Sequence, residues 1–125
     1  MATVVKIPAT GRAIASNRIK GIGTEPKNIG WGTGTTPPVD GDTGLEVEAA
    51  ESRVVGASSV QTTTTTNDTY RVVGTLTSAS NQTISEAALF NDAGNLYERG
   101  TFAGIALENG DSIQLTIESQ AVAPS

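Results

Sequence analysis

The alternation in "SIQLTIE", where Ile113, Leu115 and Ile117 alternate with Ser112, Gln114, Thr116 and Glu118, constrains this chain more than any other stretch. A period of two puts every second side chain on one face, so the segment reads as a β-strand buried on one side only. Upstream, "TYRVVGTLTS" places Tyr70, Val72, Gly74 and Leu76 on a common face in the same way. The β-branched run "ESRVVGASSVQTTTTT" precedes it, and "TNDT" between the two predicts a hairpin joining residues 52–65 to 69–79. The Thr62–Thr66 run is expected to be strand, uncharged on both faces, with an edge that invites another chain to pair. "NDAGN" at 91–95 separates "TISEAALF" from "LYERGTFAGI", and "ENGD" at 108–111 precedes the final strand. Antiparallel strands at this spacing predict an all-β fold, a small antiparallel β-sandwich or barrel.

Composition agrees. A chain of 125 residues fits one domain, and with 4% aromatic residues its core must be built from small and branched aliphatic side chains. The chain has no His and no Cys. That removes thiol nucleophiles, disulfides, most metal ligands and the usual proton shuttle near neutral pH. Pairs such as Glu46, Glu48 or Glu51 beside Arg53 are expected from any chain with 13 carboxylates and read as a solvated face rather than a catalytic dyad. The expectation is therefore not an enzyme, and no cofactor is implied.

The first half is less regular. "TVVKIP" can form an edge strand ended by Pro8, and "ATGRAIASNRIKG" is either a short helix stopped by Gly21 or an extended arm. Charge divides the chain here. Up to Trp31 five cations, Lys6, Arg12, Arg18, Lys20 and Lys27, face Glu25 alone, a balance of +4; after Trp31 three arginines face twelve carboxylates, a balance of −9. The reading is an extended basic N-terminal arm over 1–28 and a β-sandwich domain over 29–125. The arm suits an acidic neighbour, such as the body of an identical copy. Its charges are dispersed and lack interleaved aromatics, so no nucleic-acid partner is expected; no membrane partner is expected either, for want of a long apolar run.

Between arm and strands, "NIGWGTGTTPPVDGDTGLEVE" crowds five glycines and the only tryptophan into residues 28–48. The glycines lack the lysine and spacing of a phosphate-binding loop. Asp40, Asp42, Gly44 and Glu46 or Glu48 loosely echo a calcium loop but lack its full ligand set. Thr43 and Glu46 have the spacing of a helix cap, which predicts one short helix beginning near Gly44 and running over Leu45–Ala50. Trp31 is expected to anchor either the core or an interface.

One resemblance covers about three quarters of the chain. Gly-Thr-Gly-Thr-Thr at Gly32–Thr36, Asp-Thr-Gly-Leu at Asp42–Leu45, Glu-Ser-Arg at Glu51–Arg53, Glu-Ala-Ala-Leu-Phe at Glu86–Phe90 and the alternating strand Ser112–Glu118 follow one another in order. Together they resemble small virion structural proteins of tailed bacteriophages, head decoration (cement) proteins above all. Similar runs occur in tail-tip and tail-fibre attachment proteins, the alternative; a short chain without a fibre shaft and with a basic arm favours the head. The resemblance implies a trimer, binding to the major capsid protein and a location on the outer capsid surface. Lys6, Arg12, Arg18, Lys20, Lys27 and Trp31 are then the expected capsid or inter-subunit contacts, and the "AVAPS" tail at 121–125 is expected to reach other chains.

Overall fold

A computed structural model describes residues 3–121, and the final four residues of the tail lie outside that range. Among the described residues there are eight strands: β1 (Val4–Lys6), β2 (Asn28–Gly32), β3 (Val54–Val55), β4 (Ala57–Gln61), β5 (Thr69–Thr77), β6 (Gln82–Phe90), β7 (Leu96–Leu107) and β8 (Ser112–Gln120). One helix, α1, spans Ala9–Lys20. The strands form two antiparallel sheets, β1-β7-β6-β2-β3 and β4-β5-β8. The all-β sandwich expected from the alternation is the observed architecture.

The core lies between the sheets. Ile29 and Trp31 from β2, Val72 and Leu76 from β5, and Ile84 and Leu89 from β6 are 0–1% exposed. Ile113, Leu115 and Ile117 of β8 pack against this cluster while their alternate neighbours face water, as period two requires. The strand β5 presents Val72 and Leu76 inward in the same rhythm. Tyr70 and Tyr97 meet edge to face across the sheets, with ring centroids 6.3 Å apart.

Three local expectations are corrected. The segment near Gly44 is not helical: Thr43 caps nothing, and the Glu46 carboxylate accepts instead from the Thr35 and Thr36 N–H groups and the Thr36 hydroxyl. Two prolines and two glycines in residues 37–44 leave a helix there little intrinsic support. The Thr run is not strand either. The β4–β5 hairpin forms, but β4 stops at Gln61 because Asp68 gathers the N–H groups of Thr63, Thr64 and Thr65 at 2.9, 3.1 and 2.9 Å, while Asn67 turns the chain at φ 59°.

The third correction concerns the N-terminal arm, which is not extended away from the body. β1 pairs with β7 in the register Val4–Thr101, Val5–Gly100 and Lys6–Arg99, and α1 packs on the same strand. Helix and sheet approach closely because Gly11 has no Cβ: one built there would collide with the Tyr97 carbonyl oxygen. Thr10 Oγ1 donates to the Leu96 carbonyl at 2.9 Å, and Ile14 fills the remaining contact. Gly21 stops the helix in the left-handed region at φ 88°, its N–H and that of Ile22 satisfying the Arg18 and Asn17 carbonyls.

Candidate functional site

The expected contact residues do not form one surface. Trp31 is 1% exposed within the chain's own core, its Nε1 donating to Glu51 Oε1 at 3.0 Å, so it anchors the fold and is not an exposed contact. Arg12 is held by Asp40 at 2.6 Å and Arg18 donates to the Gly23 carbonyl at 2.7 Å. Lys27 is half-buried just before β2, while Lys6 on β1 and Lys20 at the end of α1 are exposed. The cations follow the β1–α1 path, with Lys20 at its far end beside Ile19, which is 90% exposed.

The glycine-rich segment after β2 is a lasso tied to the outer face of the larger sheet. Thr33 donates to the Val47 carbonyl and Ala49 to that of Trp31, closing the loop on itself. At its centre the fully buried Glu86 accepts from the N–H groups of Glu46 and Gly34 at 2.9 Å and Val47 at 2.8 Å. Arg99, 2% exposed, donates Nε to Glu86 at 2.9 Å, Nη1 to Asp42 at 3.0 Å and Nη2 to the Thr36 carbonyl at 2.8 Å. A buried ion pair with its remaining valences filled in this way fixes geometry. The two aspartates of the calcium reading are each engaged by a different arginine: Asp40 by Arg12, Asp42 by Arg99. Of the pairs around Arg53, Glu48 binds it at 2.9 and 3.0 Å, and the guanidinium stacks 3.4 Å above the Phe90 ring.

The remaining buried acid is differently placed. Glu98 of β7 faces the inner side of the sheet and lines a cleft of about 450 Å3 between the β1 and β8 edges. Val5, Phe102, Ile105, Leu115 and Ile117 wall this cleft. Glu98 is 2% exposed, and its Oε1 is enclosed with no hydrogen-bond partner among the described residues. Burial, with a smaller contribution from the nearby Glu118 carboxylate, pushes its pKa up to about 8. Sequence reasoning missed this residue, because "LYERG" carries no motif; only the inward placement of an acid in an alternating strand could have flagged it.

The molecule is thus a two-sheet sandwich whose distinctive features are an ion-paired lasso on one face and an apolar, acid-lined cleft at one edge. Val5 and Ile105, 51% and 40% exposed, continue the cleft to the surface, and among the described residues β8 offers nine residues of free edge. The chain matches no protein-family model, no curated protein and no solved structure. Among the described residues no helix is long and apolar enough to cross a membrane.

Proposed function

We propose that this protein is a virion structural subunit, a decoration (cement) protein that binds the outer surface of an icosahedral phage head and stabilises the shell by bridging neighbouring capsid subunits. The observation that carries the reading is the open sandwich edge, where β8 is unpaired on one side among the described residues and Val5 and Ile105 stay exposed beside an apolar cleft. An edge of this kind is stabilised when another chain covers or extends it. The ordered resemblance from Ile29 to Glu118 supports the phage setting.

In this reading the protein works by mass action as a homotrimer and catalyses nothing. A ligand that binds only the assembled shell stabilises that shell, and repetition over many sites turns modest contacts into large resistance. Exposed Lys6 and Lys20 are the cations placed to meet an acidic neighbour. The test is antibody labelling of intact phage particles viewed by electron microscopy. Label over the whole head is expected; label confined to the tail or its tip would instead make the protein a tail attachment subunit.

A further inference from the structure

We infer that the cleft between β1 and β8 receives Ile19 and Lys20 of a second copy of this chain, with Lys20 supplying the cation that buried Glu98 lacks. The inference deepens the assembly reading and rests on it for the use of this edge, but not for the identity of the shell.

Glu86 and Glu98 make the case by contrast. They are 0% and 2% exposed on neighbouring strands of one sheet. Glu86 has an arginine and three backbone N–H donors, whereas Glu98 Oε1 has none among the described residues. A buried carboxyl without a donor costs free energy that a partner entering the cleft would recover. The walls are apolar, so the entering group must carry its donor on an apolar stem. Lysine does: four methylenes cover the walls while the ammonium offers three N–H donors.

The chain's own cations narrow the choice. Arg12, Arg53, Arg71 and Arg99 are ion-paired, Arg18 donates to a backbone carbonyl, and Lys27 is half-buried just before β2. Lys6 adjoins Val5 on β1 and so projects to the opposite face from the cleft-lining Val5. Lys20 is exposed, does not line the cleft of its own chain, and follows the most exposed large hydrophobic of the described residues, Ile19. An apolar group and a cation side by side complement an apolar wall and a carboxyl. Such a contact joins different surfaces of two copies, and repeating it closes a ring when the rotation permits.

The pairing makes association depend on pH. The groups facing Glu98 are Glu118 of β8, itself held by Arg71 of β5 at 2.6 Å, and Tyr97 of β7, whose hydroxyl meets Ser119. Among the described residues, β6, β1 and the residue before β1 give the cleft only Ala87, Val5 and Thr3. In the free subunit Glu98 is mostly protonated below pH of about 8, so a seated lysine must displace that proton and association strengthens as pH rises through this range.

The test is sedimentation velocity on the purified full chain at about pH 6 and about pH 9, with thermal unfolding followed in parallel. Expected are oligomers that tighten at the higher pH, a loss of association of at least about tenfold in Lys20→Ala and in Glu98→Gln, and recovery in Lys20→Arg. A monomer at both values, or association indifferent to both substitutions, overturns the inference. If the chain stays monomeric but Glu98→Gln loses binding to phage heads, the occupant is a shell segment; the second-copy inference then falls and the decoration reading stands. Oligomers that obey these substitutions with no label on heads give the converse.

Discussion

Glu86 Oε1 lies 2.9 Å from Arg99 Nε, with the two side chains 0% and 2% exposed, and this pair organises the 33–47 lasso. Removing one partner strands the other charge in a dry site and frees three backbone N–H groups. Glu86→Ala is therefore expected to destabilise by about 3–5 kcal/mol. Urea unfolding measures the loss, and faster amide exchange at Gly34 and Val47 would locate it in the lasso.

Trp31 fills the centre of the sandwich, so Trp31→Ala should cost about 3–5 kcal/mol. An unchanged melting temperature accompanied by lost oligomers would place the indole at an interface instead, against its 1% exposure.

Gly11→Ala separates helix propensity from packing. Alanine favours a helix interior over glycine by about 1 kcal/mol. Here a Cβ would strike the Tyr97 carbonyl oxygen and the Ile7 side chain, so backbone must shift and the substitution should destabilise. Chemical denaturation of the variant checks the sign; a gain in stability would mean that α1 is not seated on β7 as described.

Glu98 sets a pH dependence of unusual sign for a carboxyl. Its folded pKa of about 8 lies above the ordinary value of 4.5, so between these values the folded state binds the extra proton. Its contribution to stability is full below about pH 4.5 and is lost as pH rises towards about 8. Glu98→Gln should remove that decline, and melting curves across this range for both proteins provide the comparison. Identical slopes would refute the assignment to Glu98.

Asp68 behaves in the opposite way. Backbone donors from Thr65 and Thr63 hold its carboxyl well below the usual carboxylate range, so its contribution is present above its unfolded pKa and is lost as pH falls into the acid range. Asp68→Ala should loosen the 62–68 turn and leave the sandwich folded, with amide exchange rising at Thr63 to Thr65.

The alternation of Ile113, Leu115 and Ile117, the inward Val72 and Leu76, the turns at 91–95 and 108–111 and the stop at Gly21 were legible because each depends on near neighbours. A period of two, a turn residue or a left-handed glycine acts over a few residues, and the chain writes it locally. The Asp68 turn is local, but the β-branched run masked it. Tertiary structure alone decided that the edge strand and helix legible at the N-terminus would dock on β7 instead of extending as an arm, and that Glu46 would bind Thr35 and Thr36 rather than cap a helix. It also decided which buried acid is satisfied. Arg99 reaches Glu86 across 13 residues of sequence and Asp42 across 57, and Glu98, one position before Arg99, faces the other way into an apolar cleft. Charges so far apart in sequence meet only after the sheet has formed, and burial then gives one carboxylate its partners and leaves the other without.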